Sequence, residues 1–278
     1  MLYERSHIGR FISHRHLWCS MSETITTFDG VVHDKEEIIE KMYDDDFYYG
    51  YLGKQALSSS SLKKLLSSPN EYLRSLEEED ATESQPLRDG KLFHWNVLEP
   101  EKFEELRVID VASKNTKAYK EAKAEFGEVY CRNEIEKAES LASVLKNNKP
   151  AMAFLENADF EVPQIDVIDG IPFRGKADIV QGTKIIDLKT TADLEGFNFA
   201  AYRFGYDLQA YLYLQLFPQA EEFIFVVIDK KTKDIGIFDC SEEFLESGKK
   251  KLEQGIENYK FFFEGDVELS QFVRYGTL

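Results

Sequence analysis

The chain has 278 residues, with 34 basic against 51 acidic side chains and a net charge of −17. Apolar residues at 43% and charged residues at 31% are the proportions of a soluble globular domain, and the longest clean apolar run, Phe223 to Ile228, is far short of the roughly 20 residues that span a bilayer. A transmembrane protein is thereby excluded. So is a disulfide framework or four-thiolate cluster, since only Cys19, Cys131 and Cys240 are present. The expected compartment is reducing and cytoplasmic.

Residues 1–20 hold three of the five histidines and show no regular period, so they are expected to lie outside the fold. Residues 1–55 form an N-terminal extension in this reading, with Asp44, Asp45, Asp46 and the tyrosine-rich stretch after them as a loop. From Ala56 to Leu73 a serine N-cap and leucines at 62, 65 and 66 predict a helix, broken at Pro69. The acidic run from Glu77 to Asp80 is a solvated connection, and the next helix spans Leu87 to Leu98, stopped by Pro100. Residues 112–158 read as helical. At Glu161 the period changes to alternation, interrupted by Asp169-Gly170, which predicts a hairpin; Lys184 to Thr190 makes a third strand. Helix returns over 194–217. Two more strands follow, joined through Lys230 to Lys233, and a helix from Ser241 to Phe263 closes the chain. This order predicts an α/β (α+β) domain over residues 56–278, with one central mixed sheet flanked by helices.

The chemistry concentrates in the third strand and its neighbours. Asp187 and Lys189 are two apart on a strand, so their side chains leave one face, and Asp178 lies at hairpin distance. Two carboxylates beside an ammonium suit a hard divalent cation and a phosphate. A structural Asp–Lys pair is the competing explanation. Gln209 and Tyr213, four apart on the following helix, share a face and could hold a phosphate oxygen or the lysine; a core tyrosine with a surface glutamine reads equally from these residues alone. His94, set among Leu92, Phe93, Trp95 and Val97, is either a core histidine or a ligand that completes the carboxylate pair, and Glu161 is either an edge charge or a further carboxylate on the same face. The net negative charge argues against a surface made for nucleic acid, but bound metal restores positive charge locally. Lys114, Lys117 and Lys120, at helical spacing, form the best candidate DNA track, with a merely solvated face as the alternative.

Taken together, the run GKAD, DLKTT and YDLQAYLY resembles the PD-(D/E)xK nuclease superfamily, most closely the branch of phage exonuclease VIII-type and RecB-type exonucleases, related to lambda exonuclease. The histidine helix, the Asp, the D-x-K and the Q-x-x-x-Y of that branch fall on His94, Asp178, Asp187 with Lys189, and Gln209 with Tyr213. SSSSLKKLLSSPNEYL, PLRDGKLFHWNVLEPEKF and SKNTKAYKEAKAEF resemble its other segments, so the likeness covers roughly residues 56–217. It implies a restriction-endonuclease-like core and a Mg²⁺-dependent exodeoxyribonuclease for which Mn²⁺ can substitute. The metal ligands would be His94, Asp178, Asp187 and the carbonyl of Leu188, and Lys189 would position the attacking water. Ser60 matches a serine that lines a 5′-phosphate pocket. The resemblance further implies 5′→3′ degradation of linear double-stranded DNA that leaves 3′ overhangs, a ring-shaped homo-oligomer, and a single-strand annealing protein as partner. With three cysteines, no iron–sulfur cluster is expected. The alternatives are a nuclease of the same fold acting on single-stranded DNA or RNA, and a non-catalytic DNA-end binder.

Overall fold

The structure is a computed structural model that describes residues 23–77, 84–265, 269 and 272–273. Expectations for residues 1–20 and for the acidic run beyond Glu77 lie outside the described residues. Five strands form the central sheet: β1 (Asp159–Ile168), β2 (Ile171–Gln181), β3 (Lys184–Thr191), β4 (Glu222–Asp229) and β5 (Ile235–Asp239). They lie side by side in chain order. All neighbours are antiparallel except β3 and β4, which run parallel with Asp187 beside Phe225 and Lys189 beside Val227. The sheet is therefore mixed, as the order of elements predicts. Asp169 and Gly170, both at positive φ, make the two-residue turn between β1 and β2.

Alternation along β4 divides the core. Phe223, Phe225 and Val227 face one side, with Ile185 of β3. There they meet α1 (Ser59–Ser67), α6 (Phe197–Phe204), α7 (Tyr206–Leu216) and α8 (Glu242–Tyr259). Ile224, Val226 and Ile228 face the other side with Ile186 and Leu188. Phe93 and Leu98 of α3 (Gln85–Leu98) and Leu141 and Leu145 of α5 (Arg132–Lys146) cover them. A sheet buried on both faces in this way reads as continuous apolar runs, and a charged residue inside such a run has no solvent to turn to.

Local chemistry sets the helix ends. Ser58 caps α1 through a reciprocal pair of bonds with Ser61, whose hydroxyl accepts from the Ser58 N–H at 2.7 Å. Pro69 does not end the helical region; it opens α2 (Pro69–Glu77), because proline at a first helical position sacrifices no bond. The single helix expected over 194–217 is two, α6 and α7, broken at Gly205 in the left-handed region with φ +71°. Residues 112–158 are not continuously helical either. α4 (Lys117–Phe126) and α5 are separated by Tyr130–Cys131, which pairs in parallel with Val108–Ile109.

The largest departure is N-terminal. The stretch after Asp45 is not a loop: Asp46–Tyr51 forms a π-helical turn, continued by Leu52–Gln55 and preceded by a helix over Lys35–Lys41. Ile25, Ile38, Met42, Tyr48, Leu52 and Ala56 bury themselves against Ile165 of β1, so this segment is packed on the sheet rather than appended to it.

Candidate active site

The site begins with an irregularity in the β1–β2 hairpin. Ile171, Phe173 and Ala177 of β2 face the α7 side of the sheet, and so does Val180, although strict alternation would point it the other way. Ile179 faces the α3 side. The alternation has slipped by one residue at Asp178. Across from it, pairs Phe160 with Ile179 and Val162 with Ala177 leave Glu161 and Asp178 opposed but unbonded, and Glu161 has φ +50°. A non-glycine residue in that region is strained, and such strain collects at functional sites.

β2 and β3 pair only as far as Ile179 with Ile186. Beyond that point the Asp178 carboxylate enters the gap and accepts from the N–H of Leu188 at 2.8 Å. His94, from α3, reaches the same place. Its Nε2 is 2.8 Å from the carbonyl oxygen of Leu188 and its Nδ1 is 3.6 Å from Asp178 Oδ2. A carbonyl only accepts, so Nε2 carries a proton, and Nδ1 is the nitrogen turned toward the carboxylates. Ligand atoms of His94, Glu161 and Asp178 all lie within 4.8 Å of one another. The Leu188 carbonyl, expected as a ligand, accepts from His94 Nε2. It holds the imidazole, the arrangement in which a histidine's second nitrogen fixes the ring while the first is free to bind.

Asp187 and Lys189 leave the α7 face of β3, as the spacing predicts. Lys189 Nζ is 2.5 Å from Asp187 Oδ2. Gln209 donates to Asp187 Oδ1 at 2.7 Å. Tyr206, one turn before Gln209, places its ring 5.1 Å under the Lys189 ammonium. Gln209 thus supports the carboxylate rather than the lysine. Tyr213 supports neither: its hydroxyl accepts from the N–H of Lys176 at 3.3 Å and donates to that residue's carbonyl at 3.1 Å. It braces the strand two residues before Asp178. Gly175 makes room for it, since a Cβ there would stand 2.8 Å from the tyrosine ring.

Burial and crowding set the charges. Glu161 is pushed up to about 8 by burial, then by Asp178 and Glu99, against Lys176 and Lys102. Asp187 is pushed up to about 6 by burial and by Asp178, although Lys189 pulls it down. Burial works against the Lys189 ammonium, but Asp187 and Asp178 outweigh it and raise its pKa. Burial also holds the Tyr213 phenol well above its usual range, so it stays a neutral donor.

The residues fit a divalent cation. Glu161 and Asp178 face each other, His94 Nδ1 is turned toward them, and the buried Asp187 Oδ2 meets Lys189 at 2.5 Å without a well-formed hydrogen bond. Oxygen-rich donors with one imidazole suit a hard or borderline ion.

Other expected residues lie elsewhere. Ser60, on α1, is engaged locally, its Oγ 3.0 Å from that of Ser58. Lys114 precedes α4, whose N-cap is Thr116, and binds Gln85 at 2.7 Å and Glu134 at 3.0 Å. Lys117 pairs with Glu121 at 3.5 Å, and Lys120 is exposed. Two neighbours were missed. Tyr206 was legible, three residues before Gln209 and so on its face of α7. Lys176, which Asp45 binds at 2.9 Å, was not, because its partner lies far off in the chain.

The family described as a PDDEXK-like domain of unknown function (DUF3799) matches residues 58–270. The chain belongs to this PDDEXK-like family. No curated protein matches it. Among solved structures, a protein described as "Putative exonuclease" from Eubacterium rectale superposes with a TM-score of 0.63 at 16% identity, covering 84% of this chain and 95% of the other. SSO0001 follows at 20% identity and TM-score 0.29, covering 70% and 84%. A phage-related exonuclease from Haemophilus somnus 129PT follows at 16% and 0.30, covering 56% and 90%. The first shares the fold, and the last two add nothing to that assignment. The PDDEXK-like core thus accounts for the sheet. Among the described residues, no helix is long and apolar enough to cross a membrane.

Proposed function

We propose that this PDDEXK-like chain is a Mg²⁺-dependent exodeoxyribonuclease, active also with Mn²⁺, that degrades linear double-stranded DNA from its 5′ ends and leaves 3′ overhangs. The observation that carries the reading is the convergence of His94, Glu161 and Asp178 on one point beside the buried Asp187–Lys189 pair. His94, Glu161 and Asp178 would hold the ion, with Asp187 at its flank. When bound, such an ion activates water and neutralises charge on the phosphate. Lys189, kept protonated, offers N–H donors to the charge that grows on the phosphate oxygens and orients the attacking water. Asp187 fixes Lys189, and Gln209 fixes Asp187. Tyr213 keeps the backbone before Asp178 from shifting.

The 5′→3′ polarity, the homo-oligomeric ring and the single-strand annealing partner are what the resemblance to the phage exonuclease branch implies, and a cytoplasmic setting is what the few, scattered cysteines imply. The test is digestion of linear duplex labelled at either the 5′ or the 3′ end, beside a closed circle, a single strand and an RNA, with Mg²⁺ and with chelator. Loss of one strand from linear duplex, only with metal and not by Asp187→Asn, is the expected result. Equal digestion of single-stranded DNA or RNA would select the alternative substrate. Metal-dependent binding of ends with no cleavage at all would leave only an end binder.

A further inference from the structure

On α6, beside the site, the chain exposes aromatic residues that packing does not account for. Phe199 is 86% exposed and Phe204 43% exposed. Phe204 is connected to the catalytic lysine through a single ring. Lys189 Nζ lies 5.1 Å from the Tyr206 centroid. The Tyr206 and Phe204 centroids are 5.9 Å apart at 42°. The inner end of this series is fixed, because Tyr206 also packs on Phe197 at 6.0 Å and on Phe225 at 5.7 Å. Its outer end carries a cation: the Arg203 guanidinium stands 4.7 Å from the Phe204 centroid. Lys63 of α1 comes to the same place, donating to the Phe204 carbonyl at 3.2 Å.

In a chain of net charge −17, the sequence lysine, tyrosine, phenylalanine, arginine, leading outward from a phosphate-directed ammonium, is a local exception. Aromatic faces interleaved with cations are what single-stranded nucleic acid binds: the bases stack and the cations meet phosphates. The faces of a paired base are already stacked in the duplex, so an aromatic platform selects a nucleotide that has left it. Burial, and then the positive charge of Lys189, lower the pKa of Lys63, as expected where cations gather around a place for an anion.

We infer that Phe204, with Arg203 over its ring, is a stacking platform for an unpaired nucleobase adjoining the phosphate at Lys189. The inference rests on the nuclease reading and adds that the strand to be cut is splayed from its complement at the site.

The test is binding of a fluorescent single-stranded oligonucleotide of about twelve nucleotides, within the usual site size, to the full chain without added metal. A series of probes each carries one abasic position. Phe204→Ala and Phe204→Leu are expected to weaken binding of the intact oligonucleotide roughly tenfold, and Phe204→Trp to keep it. In the wild type one abasic position should cost a similar factor, and in Phe204→Ala that same position should cost nothing. Phe204→Leu retains the apolar bulk, so a loss seen in Ala alone would indicate packing and overturn the proposal. Unchanged affinity in all variants overturns it. So does unchanged affinity with an altered mass in solution, which would assign the face to contact between copies of this chain. If the wild type shows the abasic signature but cleaves nothing, the nuclease reading fails and the platform stands. If it cleaves DNA without the signature, the platform alone fails. If it neither binds nor cleaves, both fall.

Discussion

Glu134 and Glu161 are both carboxylates drawn into the protein, and they end in opposite states. Glu134, on α5, accepts from Gln85 and from Arg88 Nε at 2.9 Å each, and from the N–H of Cys131 at 2.8 Å. Lys114 stands 3.0 Å away. Burial works to raise it, but those donors and the charge of Arg88 win and hold it down to about 2. Glu161 meets burial with Asp178 and Glu99 in place of donors, and is pushed up to about 8. Depth is therefore not what distinguishes a structural carboxylate from one kept ready for a ligand. What distinguishes them is whether the protein itself supplies the positive groups. At Glu134 the donors and Arg88 outweigh burial, whereas at Glu161 Lys176 and Lys102 do not outweigh burial, Asp178 and Glu99.

The comparison breaks most severely on the Glu134 side. Arg88→Met leaves Glu134 buried without its guanidinium and should cost about 3–5 kcal/mol of stability, read from urea denaturation. Adding Glu134→Met should recover most of the loss. At the site, Lys189→Met removes the donor nearest the phosphate. It should lower the single-turnover cleavage rate by roughly 10²–10³-fold while end binding persists; full activity would remove Lys189 from the mechanism.

The two carboxylates also give opposite pH dependences. Glu161 has a folded pKa above its unfolded value, so the folded chain retains a proton that the unfolded chain releases. The metal-free protein should lose stability as pH rises from about 4.5 to about 8. Glu161→Gln should flatten that limb, gaining at least about 1 kcal/mol at pH 9, and a divalent ion should flatten it in the wild type. Glu134 has a depressed folded pKa. Its contribution is present above about 4.5 and lost as pH falls toward about 2. Thermal melts across the pH range, with chelator and with Mg²⁺, separate the two. The smallest effect expected lies outside both clusters. Ser58→Ala removes the cap of α1 and should cost about 1 kcal/mol with no change in either pH limb.

Much of this was legible because the sequence breaks its own rules at the site. Charged residues inside KIIDLKT stand out against a buried apolar run, and the tight connection at Gln181-Gly182-Thr183 brings Asp178 near them. Helical spacing put Gln209 at the site, but as a partner of a phosphate oxygen or the lysine, whereas it donates to Asp187. What stayed hidden depends on contacts between distant segments. Nothing in the letters around Glu161 announces a positive φ, since no glycine or asparagine stands there. Tyr213 was given to a phosphate oxygen or the lysine because periodicity fixes a helical face and not its partner. Lys114 seemed to continue the spacing of Lys117 and Lys120, but Thr116 starts the helix after it. The N-terminal segment looked formless because Ile25, Ile38, Met42, Tyr48 and Leu52 turn inward at irregular intervals.

The parallel pairing of β3 with β4 has a consequence for the order in which the molecule assembles. The β1–β2 hairpin needs only neighbouring residues, so Glu161 and Asp178 can meet early. β3 acquires its parallel neighbour only after α6 and α7 have formed and crossed over, a slow non-local step. That same crossover delivers Gln209 to Asp187 and Tyr206 to Lys189. The nascent chain therefore carries Glu161 and Asp178 in a hairpin while Asp187 and Lys189 stand on an unpaired strand, and their helical partners join them only with the last long-range closure. A truncated or stalled chain ending before Glu222 would have every residue of the candidate site and no sheet to assemble it on.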